Sequence, residues 1–294
     1  FGAVMTATCV SAAAATLLMG LFANYPVALA PGMGENFYFT YTLVLGLGIA
    51  WQSALGVVLI EGLLFMALAL WKVREKLVNS IPVSLQAGIA GGIGLFIALI
   101  GFLHAGLVVP AQGMPLKLGS FRRTEVLLSL AGLAVTVLLL VRRVRGALLW
   151  GMLAAALAAL ATGRAEFQGI VSRPPSLAPT WMQFDIIGGL KAGASVIFVL
   201  LFMDLFDTVG TVVAVGHAGG FMRDGKLPRA ERVLFCDAAG TAVGAFCGSS
   251  TVTSYVESAA GICAGGRTGL TSVVTAVLFL LALFFSPVVK MFGS

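Results

Sequence analysis

Apolar runs long enough to cross a bilayer follow one another along nearly the whole chain, at about 3–23, 30–47, 49–70, 84–109, 124–141, 146–163, 191–216, 230–248, 250–264 and 268–289. In hydrocarbon every backbone N–H and C=O must be satisfied inside the protein, so such runs are either helices or strands of a closed barrel. Barrel strands alternate apolar and polar residues, and these runs do not. The expectation is an all-α polytopic membrane protein with about ten spans of roughly 20 residues each. Composition agrees: 59% of the 294 residues are hydrophobic and 10% are charged, against about 25% charged in soluble domains. The net charge of +6 sits in short loops. There it orients the chain in the membrane and does not mark a nucleic-acid partner.

Lysine and arginine are densest at 71–76, 142–145 and 223–232, so that side is expected to be cytoplasmic. Cys9, Cys236, Cys247 and Cys263 all lie in apolar segments without a CxxC spacing. They read as small buried residues, and neither a metal nor a cofactor is expected. The chain opens at Phe1 without a charged n-region before its first apolar run, unlike a signal peptide. Both ends read as cut from something longer. Pro174, Pro175 and Pro179 mark 168–190 as a linker on the extracytoplasmic side. The Gly-rich run at 88–94 lies inside an apolar helix, and close packing through small residues is the expected reason for it.

Asp204 and Asp207 stand three residues apart near the middle of the run 192–216. An ionised Asp at mid-bilayer costs roughly 2.5–3.5 kcal/mol on insertion scales, and chains keep such groups for substrate sites, ion sites or proton relays. The spacing puts both on one helix face, with Thr208 and Thr211 on the same side.

Two further runs are interrupted. In NYPVALAPGMGENFYFTYT, residues 24–42, Pro26 and Pro31 remove backbone donors, and Gly32 and Gly34 permit unusual dihedrals. The first half is expected to be extended, with a helix starting near Gly34 that aims its free N–H groups into a cavity. GSSTVTSYVESAAG, residues 248–261, is its polar counterpart: an extended stretch, then a helix from about Tyr255 with Glu257 in its first turn. Paired interruptions in two halves of a membrane chain are the best sequence pointer to a transporter binding site. Asp204, Asp207 and Glu257 are expected to converge there. Glu61 has either a packing or a functional reading. Asp237, near a cytoplasmic end, is accounted for by pairing with a basic neighbour, and His104 and His217 by interfacial placement.

These stretches, together with FMDLFDTVGT at 202–211 and SSTVTSYVESAAGICAGGRTGLTSVV at 249–274, resemble the signatures of AzgA-like purine permeases of the nucleobase–cation symporter-2 (xanthine/uracil permease) superfamily. The resemblance runs over nearly the whole chain. It implies about fourteen spans in two inverted repeats of seven, divided into core and gate domains, with two broken helices that carry short strands. This chain would lack the first span and the last three. Residues 1–83 and 191–294 would belong to the core, and 84–167 to the gate. By the same resemblance Asp204 and Glu257 are the principal purine ligands, Asp207 and Thr208 support them, and Asn36 contributes. Gly34, Ser254 and Tyr255 would offer backbone contacts at the half-helix starts. Glu257, Asp204 and Glu61 are the proton-coupling candidates. Glu35 departs from the aliphatic residue common at its position and adds a charge beside the site.

The implied function is import of adenine, hypoxanthine or guanine by proton symport through a multi-pass protein of the cell membrane. The partners would be the purine, a coupling proton, the lipid bilayer and, as one oligomeric arrangement, a second copy of the chain. The alternative is a sulfate- or bicarbonate-type anion carrier of the same inverted-repeat fold, which a centre of carboxylates disfavours. An enzyme is not expected. An intramembrane aspartyl protease needs its two aspartates on different helices, and DTVGT at 207–211 lacks the lysine of the phosphorylated motif of ion-pumping ATPases.

Overall fold

The computed structural model describes residues 2–71, 83–111, 114–144, 146–163, 169, 171–222 and 227–291. Lys72, Arg74, Lys76, Arg145, Arg164, Arg223 and Lys226, on which much of the orientation reading rests, lie outside them.

Helix α1 (Gly2–Leu18) loosens into a π-helical end at Met19–Ala23 and stops where Asn24 takes a left-handed φ of 56°. An extended strand, β1 (Leu29–Pro31), follows. Gly32 then starts a short helix, α2 (Met33–Phe37), which runs on as a π-helix over Tyr38–Gly46. This is the interruption expected from the prolines and glycines. Helix α3 covers Trp51–Leu70 and α4 covers Val83–His104.

The apolar run at 84–109 is not helical to its end. Gly106 takes a φ of 70°, and a hairpin of β2 (Val108–Ala111) and β3 (Met114–Leu118) follows. Two consecutive β-branched residues, Val108 and Val109, favour the strand once the glycine has turned the chain. Helices α5 (Thr124–Val141) and α6 (Ala147–Ala161) come next. They meet through small residues, because a Cβ on Gly132 would lie 2.8 Å from that of Ala155.

Helix α7 (Ile186–Lys191) is capped by Asp185, whose Oδ1 accepts from the Gly188 N–H at 3.0 Å. Helix α8 (Ala194–Gly219) carries the acid pair. Then come α9 (Ala230–Cys247), β4 (Val252–Ser254), α10 (Ser258–Cys263), α11 (Gly269–Ala282, with a 3-10 turn to Phe285) and α12 (Ser286–Met291). Among the described residues, five helical stretches are long and apolar enough to cross a membrane by themselves: Gly2–Ala23, Trp51–Leu70, Thr124–Val141, Ala194–Ala218 and Gly269–Val288. Helix α9 carries Glu231, Arg232 and Asp237, and it owes its place to its neighbours.

Phe1–Ile93 and Arg173–Phe284 form one compact unit; Gly94–Ser172 and Phe285–Ser294 form another. In the first, the two halves of the chain repeat one packing pattern. Helix α1 meets α11 where Gly20 and Gly269 touch; a Cβ on Gly269 would lie 2.0 Å from the Gly20 carbonyl oxygen. Helix α3 meets α9 in the same manner, with a Cβ on Gly62 only 2.9 Å from the Ala242 nitrogen. Close backbone approach through glycine is how helices associate where no hydrophobic gradient drives them together. The glycines of 88–94 do not follow this pattern. Nothing lies within 4 Å of the Cβ positions of Gly88, Gly91, Gly92 or Gly94, so the close packing expected for that run is not found among the described residues.

Candidate functional site

The two interrupted segments meet. Strands β1 and β4 pair antiparallel, with Leu29 opposite Ser254, Ala30 opposite Thr253 and Pro31 opposite Val252. Backbone bonds from Gly32 N–H to the Thr251 carbonyl, at 3.0 Å, and from Tyr255 N–H to the Ala28 carbonyl, at 2.9 Å, extend the pair at both ends. The Tyr255 hydroxyl donates to the Pro31 carbonyl at 2.6 Å.

A threonine on the preceding helix holds each strand. Thr16 of α1 both donates to the Leu29 carbonyl and accepts from its N–H, each at 2.9 Å. Thr241 of α9 donates to the Val252 carbonyl at 2.8 Å. A two-stranded pair this short has no stability of its own, and these side chains satisfy backbone groups that would otherwise be orphaned in a buried place.

Acidic side chains surround the pair. Asp237 is fully enclosed. It accepts from both the N–H and the hydroxyl of Ser254, each at 3.1 Å, and from the Thr208 hydroxyl at 2.7 Å. It therefore sits under β4 near the middle of α9, and not at a helix end as expected from sequence. Thr208 also lies 3.2 Å from Asp204 Oδ1 and 3.1 Å from the Thr253 hydroxyl, which joins α8 to β4. Glu61, enclosed on α3, accepts from Thr251 at 3.0 Å. Asn36 is exposed, and its Oδ1 accepts from the Ser250 hydroxyl.

The two aspartates of α8 differ. Asp204 has no exposed surface and borders Thr208. Asp207 is half-buried and interacts electrostatically with Asp237, Glu257 and Glu35. Glu257 is exposed at the start of α10. Asp207 and Glu257 thus face common space, while Asp204 lies in the helix packing. Glu35 is 2% exposed and lies within the acid cluster.

The half-helix backbone groups are mostly spoken for. The Ser254 N–H bonds Asp237 and the Tyr255 N–H bonds Ala28. The first of these donors is thus taken up by α9 and the second by the strand pair. The Gly34 carbonyl accepts from the Tyr38 N–H, as α2 passes into the π-helix. His104 and His217 are exposed near helix ends.

Thr16, Thr241 and Thr253 were missed from sequence as members of the site, and Asp237 was given a different role. One signal was available: Asp237 and Thr241 are a helical turn apart on α9, hence on one face, and that face meets β4.

The Permease family matches residues 1–293. The chain belongs to that family. The permease is 51% identical to MJ0326 of Methanocaldococcus jannaschii, itself named as a permease, over 99% of this chain and 67% of that one. It is 44% identical to the guanine/hypoxanthine permease PbuG of Bacillus subtilis over 100% of this chain and 68% of that one. With the adenine permease AdeP of Escherichia coli it shares 38% over 98% of this chain and 65% of that one. The permease chain thus spans about two thirds of the length of these relatives. Its fold is that of the transmembrane domain of the cyanobacterial bicarbonate transporter BicA: TM-score 0.68 at 17% identity, over 97% of this chain and 76% of that one. At that identity the likeness is one of fold and not of substrate. The permease is a multi-pass membrane transporter and not an enzyme.

Proposed function

We propose that this permease imports purine nucleobases, coupled to protons, around the paired strands β1 and β4. The observation that supports the reading is that half-buried Asp207, beside Thr253 of β4, and exposed Glu257 lie within electrostatic reach of each other. A purine presents ring N–H and exocyclic N–H donors along its edges, and carboxylates are their strongest acceptors. The related chains named as guanine/hypoxanthine and adenine permeases support the purine class.

In this reading Asp207 and Glu257 contact the base. Asn36, held by Ser250, offers its amide from the opposite segment. Thr208, Asp204 and Asp237 hold Asp207 and β4 in place. Glu61 fixes the entry to β4 through Thr251. The unit containing the strand pair acts as the core, and residues 94–172 contribute to the gate. Movement of the core against the gate would expose the site to each side of the membrane in turn.

The test is uptake of labelled guanine, hypoxanthine and adenine by cells expressing the full-length transporter, with unlabelled sulfate and bicarbonate as competitors. Purine uptake that neither anion reduces is expected. Uptake of sulfate or bicarbonate without purine uptake would replace this reading with the anion-carrier one.

A further inference from the structure

Glu35 lies in the acid cluster, closed off from water. It is 2% exposed, and its Oε2 has no hydrogen-bond partner among the described residues. That oxygen rests against Gly32: a Cβ there would lie 2.0 Å from Oε2 and 2.7 Å from the Thr253 methyl. Any residue but glycine at position 32 would displace the carboxyl group. The titratable groups that act on it come from each element packed around it: Asp207 from α8, Asp237 from α9, and the Tyr255 phenol after β4.

A carboxylate sealed from water beside two others, with one oxygen undonated, needs a compensating positive charge. A proton fits where the described residues leave no donor. We propose that Glu35 is the proton-carrying residue of this permease, taking up one proton when the site faces outward and releasing it inward.

The proposal rests on the transport reading above. The step makes and breaks one O–H bond on one carboxyl oxygen and changes nothing else. Coupling follows from the repulsion between Glu35 and Asp207. Neighbouring carboxylates do not both ionise readily. A proton on Glu35 leaves Asp207 free to be the ionised acceptor that the purine N–H requires. Proton and purine then raise each other's affinity by the same factor. Gly32 and Thr253 keep the carrier out of the purine's path, since Glu35 is closed over by both.

The test uses the full-length transporter in proteoliposomes with labelled hypoxanthine. Two readouts separate the steps: counterflow, which needs no net proton movement, and accumulation driven by a pH gradient. Wild type performs both. Glu35→Gln, which keeps the shape and removes the proton site, is expected to retain counterflow within about twofold and to lose accumulation by about tenfold or more. Glu35→Asp is expected to restore accumulation with a displaced pH profile. Accumulation by Glu35→Gln with the wild-type dependence on the gradient would overturn the proposal. Loss of counterflow in both variants would overturn it too, since that would mark a structural group. If the wild type neither exchanges nor accumulates any purine, the transport reading fails, and the proton carrier fails with it.

Discussion

Asp237 accepts two hydrogen bonds from Ser254, one from the backbone N–H and one from the hydroxyl, both at 3.1 Å. A carboxylate on a helix thus closes the end of a buried three-residue strand. The same side chain takes the Thr208 hydroxyl, so a single residue joins α9, β4 and the helix that carries the acid pair.

Replacing Asp237 with alanine leaves the Ser254 N–H and hydroxyl without their acceptor and takes from the Thr208 hydroxyl its shortest one. Hydrogen bonds to charged groups contribute about 1.5–3 kcal/mol each, and their losses overlap within one network. Asp237→Ala is expected to destabilise the full-length transporter by about 3 kcal/mol, and Asp237→Asn by less, because one oxygen remains. Thermal unfolding in detergent measures this. Equal melting temperatures for wild type and Asp237→Ala would remove Asp237 from the account.

The two strand-holding threonines are not equivalent. Thr16 satisfies both backbone groups of Leu29, and Thr241 satisfies one of Val252. Valine at either position keeps the shape and deletes the hydroxyl. Thr16→Val is expected to cost about 2 kcal/mol and Thr241→Val about 1 kcal/mol. Unfolding temperatures in the reverse order would contradict the bonding pattern.

Much of this arrangement was legible in the sequence. Pro26, Pro31, Gly32 and Gly34 mark β1 and the start of α2, and the Ser/Thr run before Tyr255 marks β4, because each removes or competes for helical backbone bonds. The pairing of the two strands across more than two hundred residues was not legible, since register between distant segments has no local signal. The β2–β3 hairpin was hidden by its apolar composition, which a strand and a buried helix share. Asp204 and Asp207 were recognised as a pair. Which of them is enclosed depends on packing against β4 and α9, and spacing on one helix does not reveal it.

The crossing of α1 and α11 leaves no room for a side chain. Gly269→Ala would bring a methyl 2.0 Å from the Gly20 carbonyl, and overpacking of this kind costs about 1–3 kcal/mol. Gly261→Ala is a matched control, because its nearest neighbour, the Thr271 methyl, is 3.9 Å away. The expected result is a lowered unfolding temperature for the first and little change for the second. An unchanged Gly269→Ala would mean that the two helices cross elsewhere.

Asp204 and Asp207 should separate by readout. Asp204 is enclosed and bonded to Thr208, and Asp207 is half-buried near Glu257. Asp204→Asn is expected to lower the unfolding temperature more than Asp207→Asn does, while Asp207→Asn raises the purine Kd more. The opposite ranking would restore Asp204 as the direct contact.

In the proposed site Asp207 and Glu257 bind the purine together. Equilibrium binding of labelled hypoxanthine, guanine and adenine to the purified full-length transporter tests it most directly. A lost hydrogen bond to a charged group corresponds to about 1.5–3 kcal/mol, or roughly ten- to a hundredfold in Kd. A weakening of that size is expected for Asp207→Asn and for Glu257→Gln, for whichever purine the wild type binds. Binding within twofold of wild type in both variants would contradict it.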